Sequence, residues 1–461
     1  MFSKLLESLH NINHPFLRVG DIVIDDETEI TISNIPQETL GESIHCNGLR
    51  IPSGLEFTEL FWGPRGDSLI GLNKITGYLI KIGLYQHPRK SLDIESEIQI
   101  LRSLNQQGCA SCPRLIENGY LDIATLGINQ SSSKLPKTAT YIVQEFIPTT
   151  NKMPLSDLLL AIIEQKSLGY YHGDIKPANL RFDPAKGVCV LIDYDQAVKL
   201  DCQNTELNNF EFFQWCDLVE QRKYNLPTWR RHFPNLKEHQ VDACFRKGAL
   251  DLSKTTLFRN QVTTNATNGI YQSIREKDIF VDGIRDLHDR IEILNTIEFT
   301  TSERVLDIGC NAGLLCHYLY DHGCNVTGVD LDPYIITAAG IISRITHRNI
   351  EFICFDLDKD IIPGYFDTII LFSTLHHASN IKESAKKIAS SCNRIIIECR
   401  PVESGKRPNN GTWQKTSKWD YGDMDSLLYG LERIFTGFSL AKNHGIGGRG
   451  RYILEFVKQK E

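Results

Sequence analysis

The stretch from Arg304 to Asp332, RVLDIGCNAGLLCHYLYDHGCNVTGVDLD, constrains the fold more than any other part of the chain. An apolar run leads into a glycine-containing turn, a helical segment follows, and a second apolar run ends in acidic residues. From Ser302 onward, strand-like and helix-like segments alternate in the same manner. This alternation is typical of a parallel sheet covered by helices. We therefore predict an α/β fold for the C-terminal part of the chain.

The turn after the first apolar run carries residues suited to ligand binding. Gly309 and Gly313 allow the backbone to approach a ligand closely, and Asp307 can orient the loop or bind a cationic group. Asp330 ends the second strand, where a carboxylate can accept hydrogen bonds from two ribose hydroxyls. Since the turn lacks the third glycine of the dinucleotide fingerprint, a dehydrogenase is the alternative rather than the first interpretation.

The spacing Asp-x-Gly-x-Asn-x-Gly, from Asp307 to Gly313, resembles motif I of the class I S-adenosylmethionine-dependent methyltransferases. The segments FDTIILFSTLHHA, RIIIECRP and GGRGRYILEF resemble that family's fourth, fifth and closing antiparallel strands. The resemblance covers roughly residues 290–461 and implies a Rossmann-like fold that binds S-adenosylmethionine. The cofactor-binding residues that it implies are Asp307, Gly309, Asn311, Gly313, Asp330 and, at the adenine, Asp356.

Two features point to the methyl acceptor. His376 and His377 follow the predicted fourth strand, where one of them can act as a general base, or both can cap the strand or pack. A later loop combines cations with tryptophans, and it suits either a lid over an anionic acceptor or a solvated loop. Its residues are Arg400, Lys406, Arg407, Lys415, Lys418, Trp413 and Trp419.

A second group of polar residues lies in YYHGDIKPANLRF, from Tyr170 to Phe182. The following sequence predicts two strands joined by a turn at residues 183–187, which would bring Asp193 back beside Asn179. Carboxylate and amide oxygens are suitable ligands for Mg²⁺. Asp174 can accept a hydroxyl proton, and Lys176 can offset charge on a transferring phosphoryl group. The set therefore indicates phosphoryl transfer.

His172-Gly-Asp174-x-Lys176-x-x-Asn179, with Asp193 downstream, resembles the catalytic loop and metal-binding turn of the protein-kinase-like superfamily. The resemblance covers roughly residues 50–250 and implies ATP as a cofactor, with Asn179 and Asp193 as metal ligands and Asp174 and Lys176 as catalytic residues. Upstream matches are the phosphate-pairing Lys81, its helix partner Glu97, Gly63 and Gly66 of a glycine-rich loop, and the hinge 144–146.

Two departures from that family, and one residue that is typical of it, bear on the kind of kinase. Asp195 stands where the metal-binding turn usually has glycine, which argues against a protein-kinase type of in/out movement. About two dozen residues separate Asp193 from Asp217, which resembles the aspartate that supports the catalytic loop. That short interval resembles small-molecule and glycan kinases, whereas Lys176 is more typical of protein kinases.

Length and composition limit the remaining classes. At 461 residues the chain exceeds one ordinary domain, and its 41% hydrophobic and 23% charged content is that of a globular protein. We predict an N-terminal extension at 1–50, a bilobal α+β protein-kinase-like domain at 51–255, a helical linker at 256–290, and the methyltransferase at 291–461. The net charge of −7 argues against broad nucleic-acid binding.

The cellular compartment is predicted from cysteine use and apolar runs. The 13 cysteines form no disulfide framework, and Cys109-Ala-Ser-Cys112 lacks a second half, so a turn is favoured over a zinc site. No apolar run reaches the roughly 18 residues of a membrane helix, and the N-terminus lacks a signal-peptide core. The stripe Phe2, Leu5, Leu6 and Leu9 favours packing over peripheral membrane association. We expect a cytoplasmic protein with reduced thiols.

Together the two sites predict a bifunctional kinase–methyltransferase. The domain content is similar to fused enzymes that cap bacterial surface polysaccharides by phosphorylating a terminal sugar and methylating the phosphate, although here the kinase comes first. The expected partner is a glycan or another hydroxyl or phosphate acceptor, with association to pathway enzymes left open. The alternatives are a protein kinase fused to a protein methyltransferase, a small-molecule tailoring enzyme, and a pseudokinase scaffold with an active methyltransferase.

Overall fold

The structure is a computed structural model of the 461-residue chain. It describes residues 29–31, 43–62, 68–73, 75–84, 94–126, 137–147, 152–175, 177–199, 250–251, 255–259, 270–272, 274–276, 279–281, 283–285, 288–399, 423–447 and 451–459. The chain divides into two compact units. The first comprises residues 1–260 and 276–280, and the second comprises 261–275 and 281–461.

The first unit is built on a six-stranded antiparallel sheet with the strand order β2-β3-β4-β5-β7-β6. The strands of this unit's first half are β1 (Glu29–Thr31), β2 (Ser43–Arg50), β3 (Glu56–Trp62), β4 (Ser68–Asn73), β5 (Tyr78–Gly83), β6 (Leu115–Asp122) and β7 (Thr138–Glu145). Helix α1 (Ile94–Gln106) lies between β5 and β6 in sequence. The predicted order of sheet, one helix and more sheet is confirmed at the level of these elements.

Helix α1 packs through the residues that the sequence periodicity selects. Ile94, Ile98, Leu101 and Leu104 are all buried, and they share one core cluster with Ile142 of β7. Four apolar side chains at helical spacing form a stripe on one face of the helix, so this face covers the sheet. The turn after α1 contains the buried thiols of Cys109 and Cys112, in agreement with the predicted turn.

The second half of this unit holds the polar loop and its hairpin. Its elements are β8 (Lys152–Pro154), α2 (Leu155–Ser167), β9 (Tyr170–Tyr171), β10 (Leu180–Asp183), β11 (Val188–Leu191) and β12 (Val198–Lys199). Strands β10 and β11 pair antiparallel, with Leu180 opposite Leu191 and Asp183 opposite Val188, as predicted. Asp183 closes the turn by accepting hydrogen bonds at Oδ1 from the backbone N–H groups of Ala185 and Lys186.

The segment predicted as a helical linker is mostly strand where the structure describes it. Strand β13 (Leu250–Asp251) precedes this segment, whose own elements are α3 (Thr256–Arg259), β14 (Ile270–Gln272), β15 (Ile274–Glu276), β16 (Ile279–Val281) and β17 (Gly283–Arg285). The prediction of a helix was wrong for the residues described between 270 and 285, all of which are in strands. Ile270, Tyr271, Ile279, Phe280 and Val281 are β-branched or aromatic, and such residues favour extended backbone.

The second unit contains a seven-stranded sheet with the order β20-β19-β18-β21-β22-β24-β23. Its strands are β18 (Arg304–Ile308), β19 (Asn325–Asp330), β20 (Glu351–Cys354), β21 (Phe366–Phe372), β22 (Cys392–Cys399), β23 (Phe438–Gly447) and β24 (Arg451–Lys458). Its helices are α4 (His288–Leu294), α5 (Leu314–Asp321), α6 (Pro333–Ile345), α7 (Ile381–Ser390) and α8 (Met424–Ile434).

Five strands of this sheet are parallel, and β24 runs antiparallel to both β22 and β23. Ile369, Ile370 and Leu371 of β21 are consecutive and all fully buried, as in a strand that is covered on both faces. The predicted Rossmann-like α/β fold of the C-terminal part, with its closing antiparallel strand, is confirmed. Among the described residues, no helix is both long and apolar enough to span a bilayer.

Candidate functional site

The glycine loop after β18 is shaped by two close approaches. Gly309 and Gly313 have φ values of 80° and 81°, a region that residues with a Cβ rarely adopt. A Cβ on Gly313 would lie 2.7 Å from the ring of Phe352, and one on Gly309 would collide with the Thr374 side chain. A hydrogen bond also ties the loop to the neighbouring strand β19, since the N–H of Gly309 donates to the carbonyl of Val329 at 2.8 Å. Glycine is therefore required at both positions by the fold itself.

Asn311 and Asp330 meet at the rim of this loop. The backbone N–H of Asn311 donates to Oδ2 of Asp330 at 3.0 Å, and that of Asp332 donates to Oδ1 at 3.2 Å. Burial raises the pKa of Asp330 from its ordinary value. A carboxylate has about four lone-pair sites, so acceptor capacity for ligand hydroxyls remains. The structure thus brings together two of the residues predicted to bind the cofactor.

The side-chain oxygen of Asn311 indicates room for a ligand donor. Oδ1 is buried and accepts no hydrogen bond from any residue in the described part of the chain. A buried polar atom without a partner is costly, and a ligand N–H group would satisfy it. The methionine moiety of S-adenosylmethionine carries an ammonium group and its nucleoside carries two hydroxyls, so the acceptor oxygens of Asn311 and Asp330 fit the donors of this cofactor.

Asp307 is in β18, directly before the glycine loop, and is 2% exposed. Its Oδ2 accepts a hydrogen bond from the Cys316 thiol at 3.4 Å. Burial raises its pKa to about 7. A buried carboxyl group at this position is half protonated near neutral pH, and its role in orienting the loop or binding a cation stays a prediction.

Asp356 follows β20 at the same edge of the sheet. Its carboxylate binds within its own turn, accepting at Oδ1 from the N–H of Asp358 at 3.0 Å and pairing with the Lys359 Nζ at 2.7 Å. The Lys359 ammonium and the backbone donors lower the pKa of Asp356. The structure shows a hydrogen-bonded turn here, and the predicted contact with the adenine stays a prediction.

The two histidines lie in a short 3₁₀ helix, Leu375–His377, directly after β21. Their ring centroids are 4.0 Å apart. Thr374 connects this helix to the glycine loop, since its Oγ1 donates to the carbonyl of Ile308 at 2.9 Å. Partial burial and the nearby Arg451 charge lower the pKa of His377, so its imidazole is neutral at pH 7 and is able to accept a proton.

A buried ionic cluster, Arg290–Glu398–Arg451, lies at the carboxyl ends of β21 and β22, and no sequence motif indicates it. The guanidinium of Arg290, on α4, makes a bidentate contact with Glu398. Nε donates to Oε1 at 2.9 Å and Nη2 donates to Oε2 at 2.8 Å. Arg451 of β24 donates through Nη1 to Oε2 of Glu398 at 3.1 Å. The hydroxyl of Ser373 contacts both Glu398 and Arg451. The sequence separations, 108 and 53 residues, leave no local signal.

In the first unit, Lys81 joins two carboxylates. Its Nζ lies 2.8 Å from Oε2 of Glu97 on α1 and 2.7 Å from Oδ1 of Asp193. Glu97 is 1% exposed, and its Oε1 also accepts the N–H of Tyr194 at 3.2 Å. Burial opposes the charge on Lys81, but Asp193 and Glu97 outweigh it and raise the pKa of the ammonium. The two residues predicted to pair at the phosphates do pair here.

The loop before β10 is tied to the end of the hairpin. Asn179 donates from Nδ2 to the Asp174 carbonyl at 2.8 Å and to the Asp174 carboxylate at 2.9 Å. The His172 Nε2 lies 3.0 Å from the carbonyl of Ile192, and the N–H of Ile192 donates to the carbonyl of Asn179. These contacts bring Asp193 to the polar loop, as the predicted hairpin requires.

Three carboxylates converge at this point. One oxygen each from Asp174, Asp193 and Asp195 lies within 4.8 Å of the others. A set of carboxylate oxygens suits a hard cation such as Mg²⁺, so the residues present fit that ion. Asp195 was missed as a candidate ligand. The Asp193-x-Asp195 spacing at the end of the hairpin was the signal that could have found it, whereas the assignment of Asn179 as a ligand stays a prediction.

Several predicted residues lie outside the described residues. They are Gly63, Gly66, Lys176, Asp217, the N-terminal stripe from Phe2 to Leu9, and the basic loop from Arg400 to Trp419.

Comparison with known proteins identifies the C-terminal domain. Residues 306–397 match the family described as "Methyltransferase domain". The chain is 27% identical over 118 residues to the ubiquinone biosynthesis O-methyltransferase of Dechloromonas aromatica, covering 24% of this chain and 49% of that protein. It therefore spans about half the length of that relative.

The chain is also similar to a second kind of protein sequence and to a solved structure. The chain is 30% identical over 83 residues to the glycogen synthase kinase-3 homolog YGK3 of Saccharomyces cerevisiae, covering 16% of this chain and 22% of that protein. Magnesium protoporphyrin IX methyltransferase from Synechocystis PCC 6803 aligns with a TM-score of 0.29 and 21% identity, over 34% of this chain and 75% of that structure. From the family match and the sheet order, the C-terminal part of the chain is a class I S-adenosylmethionine-dependent methyltransferase domain.

Proposed function

We propose that the chain is a bifunctional transferase, with methyl transfer in its C-terminal domain and phosphoryl transfer in its N-terminal unit. The observation that carries the first activity is the glycine loop beside Asp330, within residues that match a methyltransferase family. The second activity rests on the ion pairs of Lys81 with Glu97 and Asp193 and on the carboxylates beside them.

Methyl transfer needs alignment of donor and acceptor in a site that excludes water. S-adenosylmethionine supplies a sulfonium-activated methyl group when bound. Asp330 accepts hydrogen bonds from the ribose hydroxyls, and Asn311 Oδ1 accepts one from the methionine ammonium. The neutral His377 takes a proton if the acceptor is a hydroxyl. Thr374 holds the histidine helix against the glycine loop, so both parts keep a fixed relative position.

Phosphoryl transfer is mainly a matter of positioning and charge stabilisation. ATP with Mg²⁺ supplies the transferable phosphoryl group. Asp193 and Asp195 hold the metal ion, with Asn179 as the predicted further ligand, and Lys81 neutralises the phosphates. Asp174, held by Asn179, accepts the proton of the acceptor hydroxyl. In an Asp193→Ala variant, phosphoryl transfer from labelled ATP should disappear while S-adenosylmethionine affinity stays unchanged; undiminished transfer would refute the kinase assignment.

We further propose that the phosphate installed by the first activity is the methyl acceptor, on a glycan or related molecule. A phosphate monoester already carries between one and two negative charges near neutral pH, so it needs no general base. Methyl incorporation into glycan pools should then require ATP and fail in Asp174→Ala protein. Full incorporation without phosphorylation would favour two independent activities or a pseudokinase scaffold. Peptide and metabolite pools assayed in parallel separate the protein-modifying and small-molecule alternatives.

A further inference from the structure

The Arg290–Glu398–Arg451 cluster carries more positive than negative charge. Two guanidinium groups, whose side chains are 10% and 9% exposed, share the single carboxylate of Glu398, which is 1% exposed. Within the part of the chain that the structure describes, Glu398 is the only carboxylate within ion-pair distance of either arginine. The two guanidiniums keep the pKa of Glu398 below its ordinary value against the effect of burial. One positive charge is therefore left without a paired carboxylate.

Neighbouring titratable groups do not remove this excess. Asp307 interacts with Arg290, but burial leaves its carboxyl half protonated near neutral pH. His377, which faces the Arg451 charge, is neutral and adds none. Partly buried charge without a partner is unfavourable unless a ligand of opposite sign completes the site. The cluster is consequently suited to an additional anion.

The hydrogen bonds of Arg451 leave part of its guanidinium group available to such an anion. Its contacts with Glu398 and Ser373 are both made by Nη1. Nε and Nη2 donate to no side chain or carbonyl among the described residues, although a guanidinium has five N–H donors. The parallel donors of arginine match the two oxygens of a carboxylate or phosphate.

The cluster lies at the edge of the sheet where a methyl acceptor would bind. Glu398 is the register partner of Phe372, so both lie at the carboxyl ends of adjacent parallel strands, where α/β sheets bind ligands. Ser373, which contacts Arg451, has a φ of 59° and begins the loop that carries His376 and His377. That strained residue turns the chain directly from the cluster into the histidine helix.

We propose that Arg451 is an oxyanion-binding residue for the methyl acceptor, so that the acceptor carries a carboxylate or phosphate group that includes, or lies beside, the atom that receives the methyl. Glu398 and Arg290 hold Arg451 in place, and Ser373 aligns the histidine loop with the bound anion. This inference rests on the proposed methyltransferase activity and names the class of its acceptor.

The test uses the full chain saturated with S-adenosylhomocysteine, with inorganic phosphate or acetate as the probe. Thermal unfolding of the protein is followed while either anion replaces chloride at constant ionic strength, because a ligand that binds the folded state raises the midpoint. The wild type should be stabilised by at least one of the two anions. The half-maximal anion concentration should rise at least tenfold in Arg451→Gln and about threefold or more in Arg451→Lys. Arg348→Gln, which removes an ion pair with Asp321 elsewhere in the same unit, is the matched control and should respond like wild type.

The outcomes separate this inference from the activity on which it rests. A stronger response to phosphate indicates a phosphorylated acceptor, and a stronger response to acetate indicates a carboxylate. Equal half-maximal anion concentrations in wild type and Arg451→Lys overturn the inference. This comparison still decides the question if Arg451→Gln does not fold. If Arg451→Gln instead loses S-adenosylhomocysteine affinity in chloride buffer without phosphate or acetate, Arg451 serves the cofactor and the inference is wrong. Failure of the wild type to bind S-adenosylhomocysteine refutes the proposed methyltransferase activity itself.

Discussion

Lys81 Nζ lies 2.7 Å from Oδ1 of Asp193, although 112 positions separate the two residues in sequence. The same ammonium binds the buried carboxylate of Glu97 at 2.8 Å. A lysine shared between a helix carboxylate and a carboxylate of a three-acid cluster fixes the distance between α1 and the candidate metal site. The arrangement also makes Glu97 dependent on Lys81 for its neutralisation.

Replacing Lys81 by methionine should therefore affect both binding and stability. Loss of the ammonium leaves Glu97 charged and buried, which should lower the free energy of unfolding by about 3 kcal/mol. Titration calorimetry should show affinity for Mg²⁺–ATP reduced at least tenfold. Lys199→Met removes an exposed lysine of the same unit and should change neither quantity. Unaltered Mg²⁺–ATP affinity in the Lys81 variant would remove Lys81 from the proposed nucleotide site.

The buried carboxyl of Asp307 predicts a pH dependence of stability. Its pKa is 3.8 in an exposed setting and about 7 in the fold. Between these values the folded protein retains the proton and the unfolded chain does not, so the free energy of unfolding falls as the pH rises through this window. The change attributable to this group is up to about 4 kcal/mol.

Asp307→Asn should flatten that dependence, because asparagine cannot ionise. Denaturant unfolding of wild type and variant from pH 4 to pH 7.5 measures the difference, with Asp425→Asn on the exposed face of α8 as the control. Parallel pH profiles in wild type and Asp307→Asn would mean that the pKa of this carboxyl is the same in the folded and unfolded states.

Gly313 offers a comparison between backbone strain and steric overlap. Gly313 and Gly437 have similar φ values, 81° and 84°, but a Cβ on Gly437 would meet no atom within 4 Å. Both alanine variants should lose roughly 1–2 kcal/mol to the left-handed backbone. Gly313→Ala should lose a further 1–3 kcal/mol or so, because the Cβ displaces Phe352. Equal losses in chemical denaturation would show that Phe352 moves aside without cost.

Much of the C-terminal domain was predictable because its signals are local. The apolar run of β18, Gly309, Gly313 and Asp330 lie within one continuous stretch, and each has a defined part in a strand–turn–helix–strand unit. The β10–β11 hairpin was likewise encoded by its own turn, where Asp183 accepts the closing hydrogen bonds. Periodicity and turn chemistry are sufficient for such elements.

Contacts between distant residues could not be predicted in this way. Arg290, Glu398 and Arg451 are ordinary charged residues in sequence, and only the tertiary fold brings helix α4 and strands β22 and β24 together at one buried cluster. Asp195 departs from the glycine of the usual metal-binding turn, and only the folded hairpin shows that it lies with Asp174 and Asp193 in one carboxylate group. The helical interpretation of residues 270–285 failed because the polar residues there obscured short β-prone runs.

The most direct test of this account is the affinity of the full chain for S-adenosylmethionine, measured by titration calorimetry for wild type, Asp330→Ala and Asp425→Ala. Asp330 should accept hydrogen bonds from both ribose hydroxyls, so its removal should weaken binding by about 2 kcal/mol or more. Asp425, which is exposed on α8, should be dispensable. Wild-type binding with a matching loss only in Asp330→Ala is the predicted result. Equal affinities in Asp330→Ala and wild type, or no binding by the wild type, would contradict the proposed cofactor site.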